Sequence, residues 1–228
     1  MTEYYSDPTV PLVFMLDVDN TLYDNDRFAA GLRSRLEADF GANECARYWE
    51  LYSQLRDQFG YADYLATVQR FRTGLEEHPK LLGLSQFMLD YPFSDHLFPQ
   101  TLPVLAHLQR SARTVILSDG DMVFQPRKIQ RSGIWQAVQG HVLIYMHKER
   151  MLDAVKRRYP AQHYVMVDDK ASILASMKTL MGASLTTIHV RQGHYAQSAQ
   201  TVAPMPDHSI QSIGELLNME ISSLQDTP

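Results

Sequence analysis

The chain has 228 residues, 45 % of them apolar, and a formal net charge of −5 at pH 7. That is material for one large domain, or for a core carrying an insertion, and enough for a sizeable buried core. The negative balance argues against bulk attraction to nucleic acid or acidic membranes, though it leaves room for a small positive pocket around an anion.

The single cysteine, Cys45, excludes an internal disulfide and fits a reducing compartment. It stands in a helical pattern as a packing residue, with no catalytic context around it. The first residues, MTEYYSDPTV, are polar and acidic and carry no signal-peptide pattern. No apolar run approaches the length of a membrane span. The expected location is the cytoplasm, with neither membrane nor nucleic acid as partner.

Taken in order, residues 1–10 read as a loose arm. Leu12 to Leu16 form a continuous apolar run, the pattern of a strand buried on both faces of a parallel sheet. Asp17, Asp19, Asn20 and Thr21 follow it directly. Phe28, Leu32 and Leu36 then recur at helical spacing, as do Tyr48, Tyr52, Leu55 and Phe59, then Tyr64, Val68 and Phe71, then Leu81 to Met88. Gly41, Gly60 and His78–Pro79 mark breaks among them. Residues 25–95 are therefore expected to be a helical insertion of three to five helices, and 1–24 with 96–228 the core.

Beyond Leu102 the pattern alternates. Strands are expected at Thr114–Leu117, His141–Met146, Tyr164–Val167 and Leu185–Val190. Helices are expected between them, around Leu102–Leu108, through Arg127–Lys128, from Lys148 to Tyr159 and over Ile173–Met181. A short strand or turn and a helix near Ile213–Leu217 close the chain. Such alternation predicts an α/β fold, a doubly wound parallel sheet.

The strand ends carry the candidate chemistry. In open α/β sheets, sites collect where strands end. Asp17 is placed to attack an electrophile. Asp19 can protonate a leaving oxygen and later take a proton from water. Taken alone, the pair also suits a turn capped by Asp and Asn. Downstream, Ser118 with Gly120 offers a hydroxyl and a turn whose N–H groups can face an anion. Lys148 adds a cation, and Asp168 and Asp169 add adjacent carboxylates. Asp17 with Asp168 or Asp169 is the oxygen set that Mg²⁺ prefers. Arg127 and Lys128 read as a solvated helix face. Arg191 and His194 follow a strand on the same edge and stay outside the set. Tyr23 either lines the cleft or packs beside it.

DVDNT, then a strand ending in Ser, then Lys, then a strand ending in DD resembles the haloacid dehalogenase superfamily in its aspartate-nucleophile phosphatases. The likeness covers about 12–24 and 97–195, and LDVDNTLYD looks most like the pyrimidine-nucleotidase-like and phosphoglycolate-phosphatase-like branches. It implies a Rossmann-like core with the helical insertion as a cap, and a Mg²⁺-dependent phosphatase acting on a small phosphorylated metabolite. Asp17 would form an aspartyl-phosphate. Asp19 would serve as acid and then base, with its backbone carbonyl on Mg²⁺. Ser118 and the N–H groups of Asp119 and Gly120 would bind phosphate, Lys148 would neutralise charge, and Asp168 and Asp169 would hold the metal. Two positions depart from the family pattern. Ile173 stands where many members carry another acid or Asn, and Lys170 where a small residue is common. A 2-haloacid dehalogenase or a phosphosugar mutase on the same scaffold is the alternative.

Overall fold

A computed structural model of the chain describes residues 8–197 and 202–225. Its strands are β1 (Val10–Leu16), β2 (Arg113–Asp119), β3 (Val142–Tyr145), β4 (Ala161–Asp168), β5 (Leu185–Val190) and β6 (His208–Ile210). They form one sheet in the order β3-β2-β1-β4-β5-β6 with every neighbouring pair parallel. The helices are α1 (Asn25–Phe40), α2 (Ala42–Phe59), α3 (Tyr64–Phe71), α4 (Leu81–Leu89), α5 (Thr101–Ser111), α6 (Phe124–Arg131), α7 (Ile134–Ala137), α8 (Leu152–Arg158) and α9 (Ala171–Met181). This is the expected doubly wound sheet with a helical insertion after its first strand. Among the described residues no helix is long and apolar enough to cross a membrane.

The apolar run of β1 is explained by its central place. Leu12, Phe14 and Leu16 join the apolar cluster on one face of the sheet, and Val13 and Met15 join the cluster on the other. Both faces are covered, so alternation of side chains leaves no position for a polar residue. The strand order reverses beside β1, with β2 and β3 on one side and β4 to β6 on the other. That switch point opens the crevice in which such folds bind ligands.

Three of the insertion helices have their own punctuation. The Asp24 carboxylate accepts the N–H of Arg27 at 2.9 Å and caps α1. Asp63 does the same for α3 through the N–H of Ala66 at 2.7 Å. Gly60 ends α2 at φ +79°, a left-handed conformation that a side chain would strain. Phe28, buried on α1, ties the insertion to the core. Its ring meets Tyr64 at 5.1 Å, Tyr91 at 4.9 Å and, on α6, Phe124 at 5.2 Å. The two chain crossings into the insertion are themselves paired. Tyr23 and Leu97 form an antiparallel bridge, the Asp24 N–H donates to the His96 carbonyl at 2.8 Å, and the Phe98 N–H donates to the Leu22 carbonyl at 3.0 Å.

Several boundaries differ from the sequence expectation. The expected arm over 1–10 lies outside the described residues up to position 7, and Val10 already pairs in β1. Lys148 does not start a helix. It sits on a single 3-10 turn, Lys148–Arg150, and α8 begins at Leu152. The expected terminal helix is a 3-10 segment, Ile213–Asn218, held by a reciprocal cap between Ser212 and Glu215. Replacing Phe28 with Ala should destabilise the protein by about 3–5 kcal/mol, because the ring is fully buried among aromatic neighbours. Urea denaturation followed by circular dichroism checks this, and a loss under about 1 kcal/mol would deny the ring that role.

Candidate active site

Three carboxylates meet at the switch point. Asp17 follows β1, Asp168 ends β4, and the Asp17 N–H donates to the Val167 carbonyl at 3.0 Å, which sets the two strand ends side by side. Asp169 comes next. All three are buried, and each offers an oxygen within 4.8 Å of the others. Like charges at that distance repel strongly away from water. The Lys148 ammonium answers two of them, at 2.5 Å from Asp17 Oδ1 and 2.7 Å from Asp168 Oδ2. Among the described residues, neither carboxylate oxygen of Asp169 has a hydrogen-bond partner.

The titration behaviour follows from that arrangement. Burial pushes the Asp17 carboxyl up against the pull of Lys148. Burial, then the charges of Asp168 and Asp17, push Asp169 up to about 9. Burial alone would lower the Lys148 ammonium, but Asp168 and Asp17 outweigh it and hold the proton on. Lys170 behaves alike, with burial overcome by Asp17, Asp168 and Asp169. The residues fit a hard divalent cation: the donors are all oxygen, and the two Asp169 oxygens are orphaned. Asp17, Asp168 and Asp169 would hold Mg²⁺ there. Ile173 packs against the apolar cluster of Val13 and Met15 and offers no ligand.

Asp19 is held by a second set of contacts. Its side chain is 26 % exposed and lines a cavity of about 720 Å³. The Lys128 ammonium pairs with Asp19 Oδ1. The Gln125 amide donates to Asp19 Oδ2 at 3.3 Å and to the Ser118 hydroxyl at 2.9 Å. Lys128 is 0 % exposed and rests near the rings of Tyr23 and Phe124, 5.3 and 5.4 Å from their centroids. The expected solvated face of α6 is therefore absent at Lys128. Arg127 also has partners, Asp90 at 2.7 Å and the Leu89 carbonyl, both at the end of α4. The missed signal was spacing. Phe124, Gln125, Lys128 and Ile129 share the buried face of α6.

The phosphate-cradle expectation is altered at Gly120. Its N–H donates to the Tyr145 carbonyl at 2.9 Å and so closes the end of the sheet. Its glycine is required by space, since a Cβ would stand 2.8 Å from Gln125 Cγ. Asp119 has a defined job: its carboxylate accepts the Lys148 N–H at 2.7 Å and fixes the turn that delivers the ammonium. Burial pushes the Asp119 carboxyl up to about 6.

Asp19, Asp119 and Asp169 line the cavity, and Asp17, 6 % exposed, lies beside Asp169 with Lys148 and Asp168 packed against it. The opposite wall includes Tyr52 and Arg56 of α2, and Arg56 donates to the Tyr195 hydroxyl at 2.5 Å. Arg191 and His194, which the sequence left outside the set, also line it. Asn20 joins His194 to the insertion. It sits at φ +59°, accepts the N–H groups of Asn25 and Asp26, and donates to Asp26 Oδ1, which also meets His194 Nδ1 at 2.6 Å. An L residue tolerates that backbone best when it is Asn or Asp. Tyr23 is fully buried and packs on Phe93, which resolves its role as packing.

A carboxyl that titrates higher in the folded protein than in the unfolded chain binds its proton more tightly when folded, so ionising it lowers stability. Without metal, stability should fall as pH rises from about 4 toward about 9, the window set by Asp169. The Lys148 pairing is fully present throughout that window, because its ammonium is held above its ordinary value. Mg²⁺ should therefore raise the melting temperature more near about pH 8.5 than near about pH 5.5, where protons compete for the acids. Melting curves with Mg²⁺ and with chelator at both pH values check this, and equal shifts would remove the trio as the metal site.

No protein-family model and no curated protein sequence matches the chain. Solved structures do. A haloacid dehalogenase-like hydrolase from Burkholderia xenovorans LB400 is 50 % identical with a TM-score of 0.88, and the match covers 94 % of this chain and 98 % of that one. A HAD-hydrolase from Bacillus subtilis, YfnB, whose structure is described as bound to magnesium, shares the fold at 18 % identity and TM-score 0.63, over 92 % of this chain and all of that one. L-2-haloacid dehalogenase from Xanthobacter autotrophicus shares it at 17 % identity and TM-score 0.60, over 92 % and 98 %. With half of its residues identical to the Burkholderia hydrolase along nearly the whole length, and with its acids at the same kind of strand ends that the motifs predicted, the chain belongs to the haloacid dehalogenase-like hydrolases.

Proposed function

We propose that the protein is a Mg²⁺-dependent phosphomonoester hydrolase that acts on a small phosphorylated metabolite through an aspartyl-phosphate. The observation that carries this reading is the Asp19 carboxylate, facing the cavity two residues beyond Asp17 and held at both oxygens. A departing alkoxide needs a proton, whereas a departing halide does not. A fixed acid at that place therefore suits a phosphate ester better than a haloacid. The buried oxygen trio points the same way, since a phosphate dianion arriving beside three carboxylates requires added positive charge.

The chemistry divides among the chain's own residues. Asp17 forms a bond to phosphorus as the ester P–O bond breaks, and Asp19 gives its proton to the leaving oxygen. Asp19 then takes a proton from water, whose oxygen bonds to phosphorus while the P–O bond to Asp17 breaks and frees the carboxylate. Lys148 pairs with Asp17, opposes the upward push of burial on its carboxyl, and orients it. Bound Mg²⁺ supplies the charge that offsets the acids and the phosphate. Arg56, Lys170 and Arg191 stand on the cavity wall among Asp19, Asp119, Glu149 and Asp169, so a phosphate would rely on the metal as well as on these three cations. The one cysteine, buried on α2, suits a reducing, cytoplasmic setting.

Two rival readings share the scaffold, a dehalogenase, found among the fold neighbours, and a phosphosugar mutase. Free phosphate measured over a panel of phosphorylated metabolites with Mg²⁺ separates the three. Turnover is expected for at least one ester, lost with chelator and reduced to background in Asp17→Asn. Chloride release from a 2-haloacid without metal would assign the dehalogenase chemistry instead. A requirement for a bisphosphate, with phosphate kept in the product, would assign a mutase.

A further inference from the structure

We infer that Lys128 is a positioning residue for Asp19, fixing the carboxylate from behind while its other side faces the cavity. The catalytic half of this inference rests on the phosphatase reading. The pairing itself does not.

A fully buried ammonium is unfavourable unless a counter-charge meets it. Lys128 is 0 % exposed, and the carboxylate that it meets is Asp19. Its remaining surroundings include the faces of Tyr23 and Phe124, which favour a cation but do not neutralise it. Asp19 is the exposed partner of the two, and Lys128 is not part of the cavity wall. The lysine therefore reaches substrate only through the acid.

Geometry makes the pairing more than a stabilising contact. Asp19 stands at an isolated bridge to Tyr23, just before the turn of residues 20–22, and one ion pair alone would leave its carboxylate free to rotate. Gln125, three residues before Lys128 on the same helix, donates to the second oxygen. One helix thus holds Oδ1 and Oδ2 together and fixes the carboxylate plane. The same Gln125 amide holds the Ser118 hydroxyl, so α6 also sets the spacing between the acid and the hydroxyl at the end of β2. Misplacing a reacting group by roughly 1 Å slows a reaction by on the order of a hundredfold, which sets the size of effect at stake.

Four variants test this: Lys128→Met, Lys128→Arg, Asp19→Asn and the double Asp19→Asn/Lys128→Met. Lys128→Met should lose roughly 10- to 100-fold in kcat with KM and the half-activating Mg²⁺ concentration unchanged. Lys128→Arg should recover part of that loss by restoring a donor. The double variant should be no slower than Asp19→Asn, because the lysine acts only through that acid. Melting curves give an independent arm. Asp19→Asn strips a buried ammonium of its counter-charge, so it should melt below the double variant. Should Lys128→Met fail to fold, Lys128→Gln takes its place in the kinetic arm, with kcat lowered and KM kept, and an unchanged kcat in that variant overturns the inference.

A folded Lys128→Met enzyme with unchanged kcat, losses that multiply in the double variant, or a double variant that melts below Asp19→Asn would each overturn the inference. A wild-type chain that hydrolyses no phosphate ester would instead end the proposed function. The melting comparison would then decide alone whether Lys128 holds Asp19.

Discussion

The contact on which the rest depends is the Lys148 ammonium set between Asp17 and Asp168. Parallel pairing of β1 with β4 forces two acids into one buried space, and without a cation between them the strand ends would repel. Lys148 enters from the far side of the sheet, beyond β3. It is held by its own N–H on the Asp119 carboxylate at the end of β2. Three strands and one turn therefore converge on one charge. Asp169 is the third acid of the cluster; among the described residues its two oxygens have no hydrogen-bond partner, and its neighbours Asp168 and Asp17 help to hold its proton on.

A second ionic centre lies across the same crevice and is built differently. Helix α6 supplies nearly all of it. Phe124 packs on Phe28 of the insertion, Gln125 bridges Ser118 and Asp19, Arg127 grips the end of α4, and Lys128 pairs with Asp19. One two-turn helix thus touches the insertion, the acid and the end of β2. Repacking between insertion and core would reach Asp19 directly, without passing through the carboxylate cluster.

Much of this was legible in the chain. The run Leu12–Leu16 reads as a strand covered on both faces, because five unbroken apolar residues are cut off by polar ones, and the structure places it at the centre of the sheet. The acids after β1 and β4 and the hydroxyl of β2 could be placed from strand ends alone. The insertion showed in its 3.6-residue spacing. Lys128 was not legible by residue type, because burial of a lysine depends on a partner that the fold supplies from 109 residues away. Gly120 misled for a related reason. A glycine at a strand end suggests an N–H open to a ligand, but here a neighbouring strand takes the N–H and a side chain needs the missing Cβ. The 3-10 turn at Lys148 was likewise set by Asp119, a contact that local spacing does not report.

The paired crossings at Tyr23 and Leu97 bring both ends of the insertion to one place on the core. The two chain segments lie side by side there and share main-chain hydrogen bonds. Gly60 lies at the far end of α2, so close to His147 that a Cβ would sit 2.3 Å from the imidazole. A methyl group at position 60 would push the imidazole aside and strain a left-handed backbone, at the place where the insertion approaches the turn that carries Lys148.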